Sequence, residues 1–131
     1  MWSGRLFVSR KFLLFLADMQ DASSKVVEFA DGLSYEAFSS HGMAYHAIVR
    51  LMEIIGEAAK NIPDEVRERH LEVEWRRIGR ARDLMAHHYF GLEDETLWEM
   101  VQQHVPELLA QLSLVIEQER GRGQEDDLDS S

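Results

Sequence analysis

Large apolar side chains recur at helical spacing in three long stretches of the chain, and no stretch alternates as a half-buried strand would. Phe12, Leu13, Leu16, Met19, Val26 and Phe29 predict a first long helix from about Ser9 to Asp31, with Gly32 as its C-terminal cap. Ser34 is placed to cap a short helical turn through Phe38. Ala44, Ala47, Ile48, Leu51, Ile54, Ile55 and Ala58 form a broad stripe from about Gly42 to Asn61, which predicts a central helix. Gly56 sits inside that stripe at a cost of about 1 kcal/mol relative to alanine, a cost that close approach by another helix would offset.

Pro63 stops the second long helix and opens a short one, Asp64 to about His70, and a further helix follows from Trp75 to about Tyr89. Glu93 or Asp94 starts the last helix, and Pro106 should kink or break it before the run Pro-Glu-Leu-Leu-Ala-Gln-Leu resumes. Residues 1–8 read as an N-terminal extension and 9–120 as one helical domain. From Gly121 to Ser131 the chain is acidic with almost no large apolar side chains, the composition of a disordered tail. The fold class expected is all-α, an up-and-down bundle of four to five helices.

The length, 131 residues, fits a single domain. There is no cysteine, which excludes disulfides and thiolate metal sites and makes the cytoplasm the default location. Asp18 interrupts the apolar N-terminal run and no small-residue cleavage site follows, so a signal peptide is not expected. No stretch is long and apolar enough for a membrane span, and no membrane partner is expected. A formal charge of −10 disfavours a protein that coats a duplex. The charge is uneven, however: from Arg67 to His88 six arginines face four acidic residues. Such a locally basic strip suits an enzyme that holds a few nucleotides. For Arg67, Arg69, Arg76 and Arg77 a solvated face paired with nearby glutamates is the plainer explanation, and for Arg80 the two readings are balanced.

Within that strip Arg82, His87 and Tyr89 follow the spacing R-x4-H-x-Y. A guanidinium is a permanent cation whose planar fork matches phosphate oxygens, and an imidazole gives or takes a proton near neutral pH. Together they suit cleavage of RNA without a metal, in which a base removes the 2′-OH proton and a cation stabilises charge on the phosphoryl oxygens. On an ideal helix Tyr89 falls close to the face of Arg82, whereas His87 lies about 140° around it. The three therefore converge only if the helix unwinds near His87 or if a second subunit completes the site. Read without chemistry, Arg82 is an ion-pair partner of Asp83 or Glu57, and Tyr89 an interface tyrosine. His88 stands at the unspecified position and is left out of the site.

The order Ile55-Gly56-Glu57-Ala58, Trp75, the Arg82/His87/Tyr89 motif, Trp98 and Pro106-Glu107-Leu108 resembles the HepT-like toxins of the HEPN superfamily, from about Ser9 to about Glu119. The resemblance implies an all-helical homodimer that cleaves RNA and is paired with a minimal nucleotidyltransferase antitoxin. It implies roles for Arg82 and His87 in cleavage, and it makes Tyr89 the acceptor of AMP groups. Asp83 departs from the pattern, because the residue after the motif arginine is often asparagine in the family. It keeps an acceptor, which could orient Arg82 or His87, but adds a negative charge beside the expected phosphate site. A noncatalytic helical subunit that docks a nucleotidyltransferase is the alternative.

A di-iron bundle site would need Glu-x-x-His pairs, and none occurs, so neither a metal nor another cofactor is expected. Gly-rich phosphate loops and the hydrolase triad orders are also missing. The twelve aromatic side chains occupy core-like positions, and Trp75 and Trp98 read as packing residues.

Overall fold

A computed structural model describes the backbone of residues 2–86 and 93–129 and the side-chain surroundings of 11–85 and 93–123. These residues are all-helical. The elements are α1 (Trp2–Ala30), α2 (Tyr35–Ser39), α3 (Met43–Lys60), α4 (Asp64–Arg69), α5 (Trp75–Ala86), α6 (Asp94–Glu99), a π-helical segment (Met100–His104) and α7 (Val105–Asp129). α1 begins at Trp2, and α7 continues beyond Gly121 to Asp129. Extending an existing helix fixes one residue per hydrogen bond gained, whereas the cost of nucleation has already been met within the bundle.

α1 packs along both α3 and α7, and α3 in turn carries α5 on its other side. The α1 core face is Phe12, Leu16, Met19, Ala22, Val26 and Ala30, repeating every three or four residues, while Phe29, expected in the core, is 45% exposed. Ala30 takes the place one turn after Val26. Ser34 caps α2 by accepting a hydrogen bond from the Ala37 N–H at 3.1 Å. Gly32 lies at φ +76°, the left-handed conformation that ends α1.

Pro106 neither breaks nor ends the last helix. It has no N–H for the carbonyl one turn earlier, and its ring would press on that carbonyl. The preceding turn widens instead, with the Val105 N–H bonding to Met100 O five residues back.

The link between α4 and α7 is a buried carboxylate. Glu119 accepts from Arg69 Nε at 3.0 Å and Arg69 Nη2 at 2.7 Å, and lies 2.5 Å from His70 Nε2. Its side chain is only 2% exposed. The next turn is secured by the Trp75 indole, which donates to the His70 carbonyl at 3.0 Å. Arg69 is thus a structural arginine, and more deeply engaged than a solvated face would make it. Among the described residues Arg67 joins no glutamate; its Nη2 donates to the Ala59 carbonyl at 2.8 Å.

α3 and α5 touch at Gly56. A Cβ built there would lie 2.2 Å from Arg82 Cβ and 3.2 Å from the Ile78 carbonyl oxygen. No real side chain fits, which accounts for a glycine in the middle of a long helix. The reciprocal contact is looser: Lys60 lays its stem over Gly79, 3.7 Å from where a Cβ would stand.

Two outcomes follow for stability. Gly56→Ala must push the helices apart and should cost about 1–3 kcal/mol in urea unfolding, whereas Gly121→Ala, with nothing near its Cβ position, should stabilise by up to about 1 kcal/mol. Equal effects at the two sites would refute the tight crossing. Burial pushes the Glu119 carboxyl up, but the hydrogen bonds from Arg69 and His70 outweigh it and hold the pKa below its usual value. A depressed folded-state pKa contributes stability above the unfolded value, so that contribution should fade as pH drops below about 4.3. Glu119→Gln should cost about 3 kcal/mol at pH 7 and flatten this acid limb of the stability curve.

Candidate active site

α5 brings four arginines onto one short helix, and the packing on α3 sorts them. Arg82 faces α3 above Gly56, with its side chain 32% exposed. Its Nη2 lies 3.6 Å from Glu57 Oε2 and its Nη1 3.5 Å from Asp83 Oδ1. Both carboxylates expected from the sequence as partners are therefore present. Neither grips the guanidinium, since charge-assisted bonds close to about 2.7–2.9 Å. The contrast with Arg69, held in a two-pronged grasp by a buried glutamate, is one of availability. Arg82 is oriented by the crossing beneath it and keeps donors to offer.

Asp83 has a stronger partner than Arg82. Lys60, from the last turn of α3, donates to Asp83 Oδ1, the same oxygen that Arg82 approaches. That hydrogen bond, with the neighbouring charges of Lys60 and Arg82 and a weaker hydrogen bond from Arg82, outweighs desolvation and holds the Asp83 carboxyl below its usual pKa. Glu57, Arg82, Asp83 and Lys60 alternate in sign across the α3–α5 seam. Sequence reasoning reached the first three and missed Lys60. Its signal was faint: it lies one turn past Gly56, on the flank of α3 that the glycine marks as the contact face.

Arg76, Arg77 and Arg80 point away from this seam. They line an open groove of about 980 Å³ of mixed charge, to which Asp64, Glu68, Glu74, Glu99 and His104 also contribute. Arg77 pairs with Glu74 at 3.0 Å, as the sequence suggested. Among the described residues Arg76 and Arg80 have no ion-pair partner, so for Arg76 the expected pairing is not made. A smaller apolar cavity of about 150 Å³ lies between α5 and α7, bounded by Met52, Ile55, Ile78, Met85, Met100 and Leu108. Arg82 lines neither space.

His87, His88 and Tyr89 lie outside the described residues. α5 leads toward them after the buried Met85, and the described chain resumes at Glu93, the N-cap of α6. There Asp94 meets His41 Nε2 at 2.7 Å, and the His41 ring stacks on Tyr45 with centroids 4.0 Å apart. Burial, then the charge of Asp94, raises the pKa of the Tyr45 hydroxyl. Among the described residues no group of three or more potential metal ligands converges, and no described helix is long and apolar enough to cross a membrane.

The comparisons with known proteins bear on this arrangement directly. The family model described as "Ribonuclease HepT-like" matches residues 19–115, a span that holds the α3–α5 seam. A protein of Caldanaerobacter subterraneus subsp. tengcongensis, "Putative RNase TTE0752", is 39% identical over 95 residues, covering 72% of this chain and 85% of that relative. "Probable ribonuclease HepT" of Thermococcus cleftensis is 37% identical over 94 residues, covering 72% and 86%. "Putative RNase MJ1216" of Methanocaldococcus jannaschii is 30% identical over 113 residues, 86% of this chain and 93% of its own length. No solved structure matches the chain. The all-helical architecture, the arginine seated on Gly56 and the span of these matches lead to one assignment: the chain belongs to the HepT-like ribonuclease family.

Proposed function

We propose that this protein is a metal-independent endoribonuclease toxin, the partner of a minimal nucleotidyltransferase antitoxin, acting as a cytoplasmic homodimer. The observation that carries the reading is the state of Arg82: a fixed cation, oriented by a helix crossing, with two carboxylates near it at 3.5 and 3.6 Å but neither closing on it. Five residues on, in a chain of this family, stands His87.

In the proposed reaction a base takes the proton of the 2′-OH, and the freed oxygen attacks the adjacent phosphorus. The bond to the 5′-oxygen breaks as that oxygen receives a proton, leaving a 2′,3′-cyclic phosphate and a 5′-hydroxyl. His87 is the proposed proton-transfer group, and Arg82 neutralises charge on the non-bridging oxygens. Asp83 supports Arg82 through its acceptor oxygen, with its charge taken up by Lys60. On an ideal helix His87 would lie about 140° from Arg82, so a cleft built from two copies of the motif is the simplest way for one chain's arginine to meet a histidine. Arg76 and Arg80 support the reading further, because these cations, unpaired among the described residues, suit the phosphates of a short RNA strand.

Control is proposed to act at Tyr89. AMP groups on its hydroxyl would add phosphate charge near Arg82 and bulk at the mouth of the cleft.

Arg82→Ala and His87→Ala should each lower RNA cleavage by roughly 10²-fold or more while the circular dichroism of a helical protein persists. His88→Ala should do far less. Cleavage should survive EDTA, and a 2′-deoxy residue at the cut site should block it; products ending in 3′-hydroxyls would sink the mechanism. Co-expression with the cognate nucleotidyltransferase should add whole AMP masses at Tyr89 and silence the enzyme. Addition at Tyr35 or Tyr45, or silencing with no change in mass, would reject control by this route.

A further inference from the structure

We propose that Lys60 is a positioning residue for the cleavage reaction: by holding the Asp83 carboxylate, it keeps Arg82 available to the scissile phosphate. The proposal rests on the ribonuclease reading of Arg82 and adds to it a part for a residue that lies outside the R-x4-H-x-Y motif.

Asp83 poses an electrostatic problem. It follows Arg82 directly and its Oδ1 stands 3.5 Å from Arg82 Nη1. A free carboxylate there would draw in the guanidinium fork and compete with an incoming phosphate, as Glu119 does at Arg69 with contacts of 2.7 and 3.0 Å. At Arg82 the contact is longer, 3.5 Å, and that same Oδ1 accepts a hydrogen bond from Lys60. The stem of Lys60 runs over Gly79 on the way, its Cγ and Cε 3.7 Å from a would-be Cβ, an ordinary packing distance. Each helix of the seam thus lays a cation's stem over a glycine of the other, tightly at Gly56 and loosely at Gly79. Gly56 receives Arg82 from α5, and Gly79 lies under Lys60 from α3.

The arrangement also gives a physical account of aspartate at position 83. An asparagine would present an acceptor with no charge, and Asp83 paired with Lys60 comes close to the same condition. The Lys60–Asp83 pair is half exposed, with side chains 43% and 54% accessible, so its proposed value lies in where it directs charge rather than in stability.

The test compares wild type, Arg82→Ala, Lys60→Met, Lys60→Arg, Asp83→Asn and the double variant Lys60→Met/Asp83→Asn. Methionine keeps the apolar stem over Gly79 and removes only the charge. Lys60→Met should lower kcat/KM for RNA by about tenfold, less than the roughly 10²–10³-fold typical of losing a direct donor. Lys60→Arg should retain most activity. The double variant should recover most of the loss, because asparagine no longer competes for Arg82. An undiminished Lys60→Met enzyme would overturn the proposal. So would a double variant as slow as Lys60→Met, since Lys60 would then act by touching the phosphate itself. Independently of any substrate, the Asp83 carboxyl carbon, followed by NMR, should titrate at higher pH in Lys60→Met than in wild type; an unchanged titration would show that Lys60 does not hold it. If wild type and Arg82→Ala were equally unable to cut RNA, the ribonuclease reading would fall, while the titration would still decide the pairing.

Discussion

The close crossing of α3 and α5 at Gly56 is the constraint on which the proposed chemistry depends. At that point the Arg82 Cβ occupies space that any other residue at 56 would fill. The crossing fixes the stem of Arg82, and fixing the stem sets the direction of the guanidinium. Glu57 and Lys60 belong to the same helix as Gly56, one residue and about one turn along, so the partners that surround Arg82 and Asp83 arrive with the contact. A larger separation of the helices would loosen all of these relations at once.

The rest of the fold supports this seam from behind. α3 packs against α1 and buries Ile48, Met52, Ile55 and Ala59 in the core. α1 in turn packs on α7, so the seam rests on a layered bundle rather than on a single helix pair. α5 is secured at its start by the Trp75 indole on the His70 carbonyl, and that turn is tied to α7 through Glu119. The chain therefore uses its arginines in two ways. Arg69 is spent on architecture, closed on a buried carboxylate in two hydrogen bonds, while Arg82 is left partly open. The difference is one of geometry, because both residues have acidic neighbours.

The π-helical segment is a second place where local chemistry shapes the molecule. Pro106 removes a donor from the helical ladder, and the backbone absorbs the loss by widening one turn while the helical run continues. The last helical run remains joined from Asp94 to Asp129 and can lie along α1. The widened turn also sets Met100 and His104 opposite α5, where they bound both spaces beside that helix.

Much of this was determined by the sequence alone. Apolar residues every three or four positions predict the long helices, and Ser34, Gly32 and Pro63 mark helix ends through capping and missing donors that act within a few residues. The glycine within α3 signals a close helix contact, since its conformational cost demands a return. The R-x4-H-x-Y spacing marks the helix of the proposed site, and the order of motifs around it carries the family. What only tertiary structure decided are relations between residues distant in the chain. No local rule pairs Lys60 with Asp83, or Glu119 with Arg69 and His70, because each meeting depends on how two helices cross. Nor could spacing distinguish Arg69 from Arg82, or predict that Phe29 would face solvent. The outer turns of α1 and α7 belong here too. Their composition is unfavourable when read alone, and only continuity with a helix already packed makes them helical.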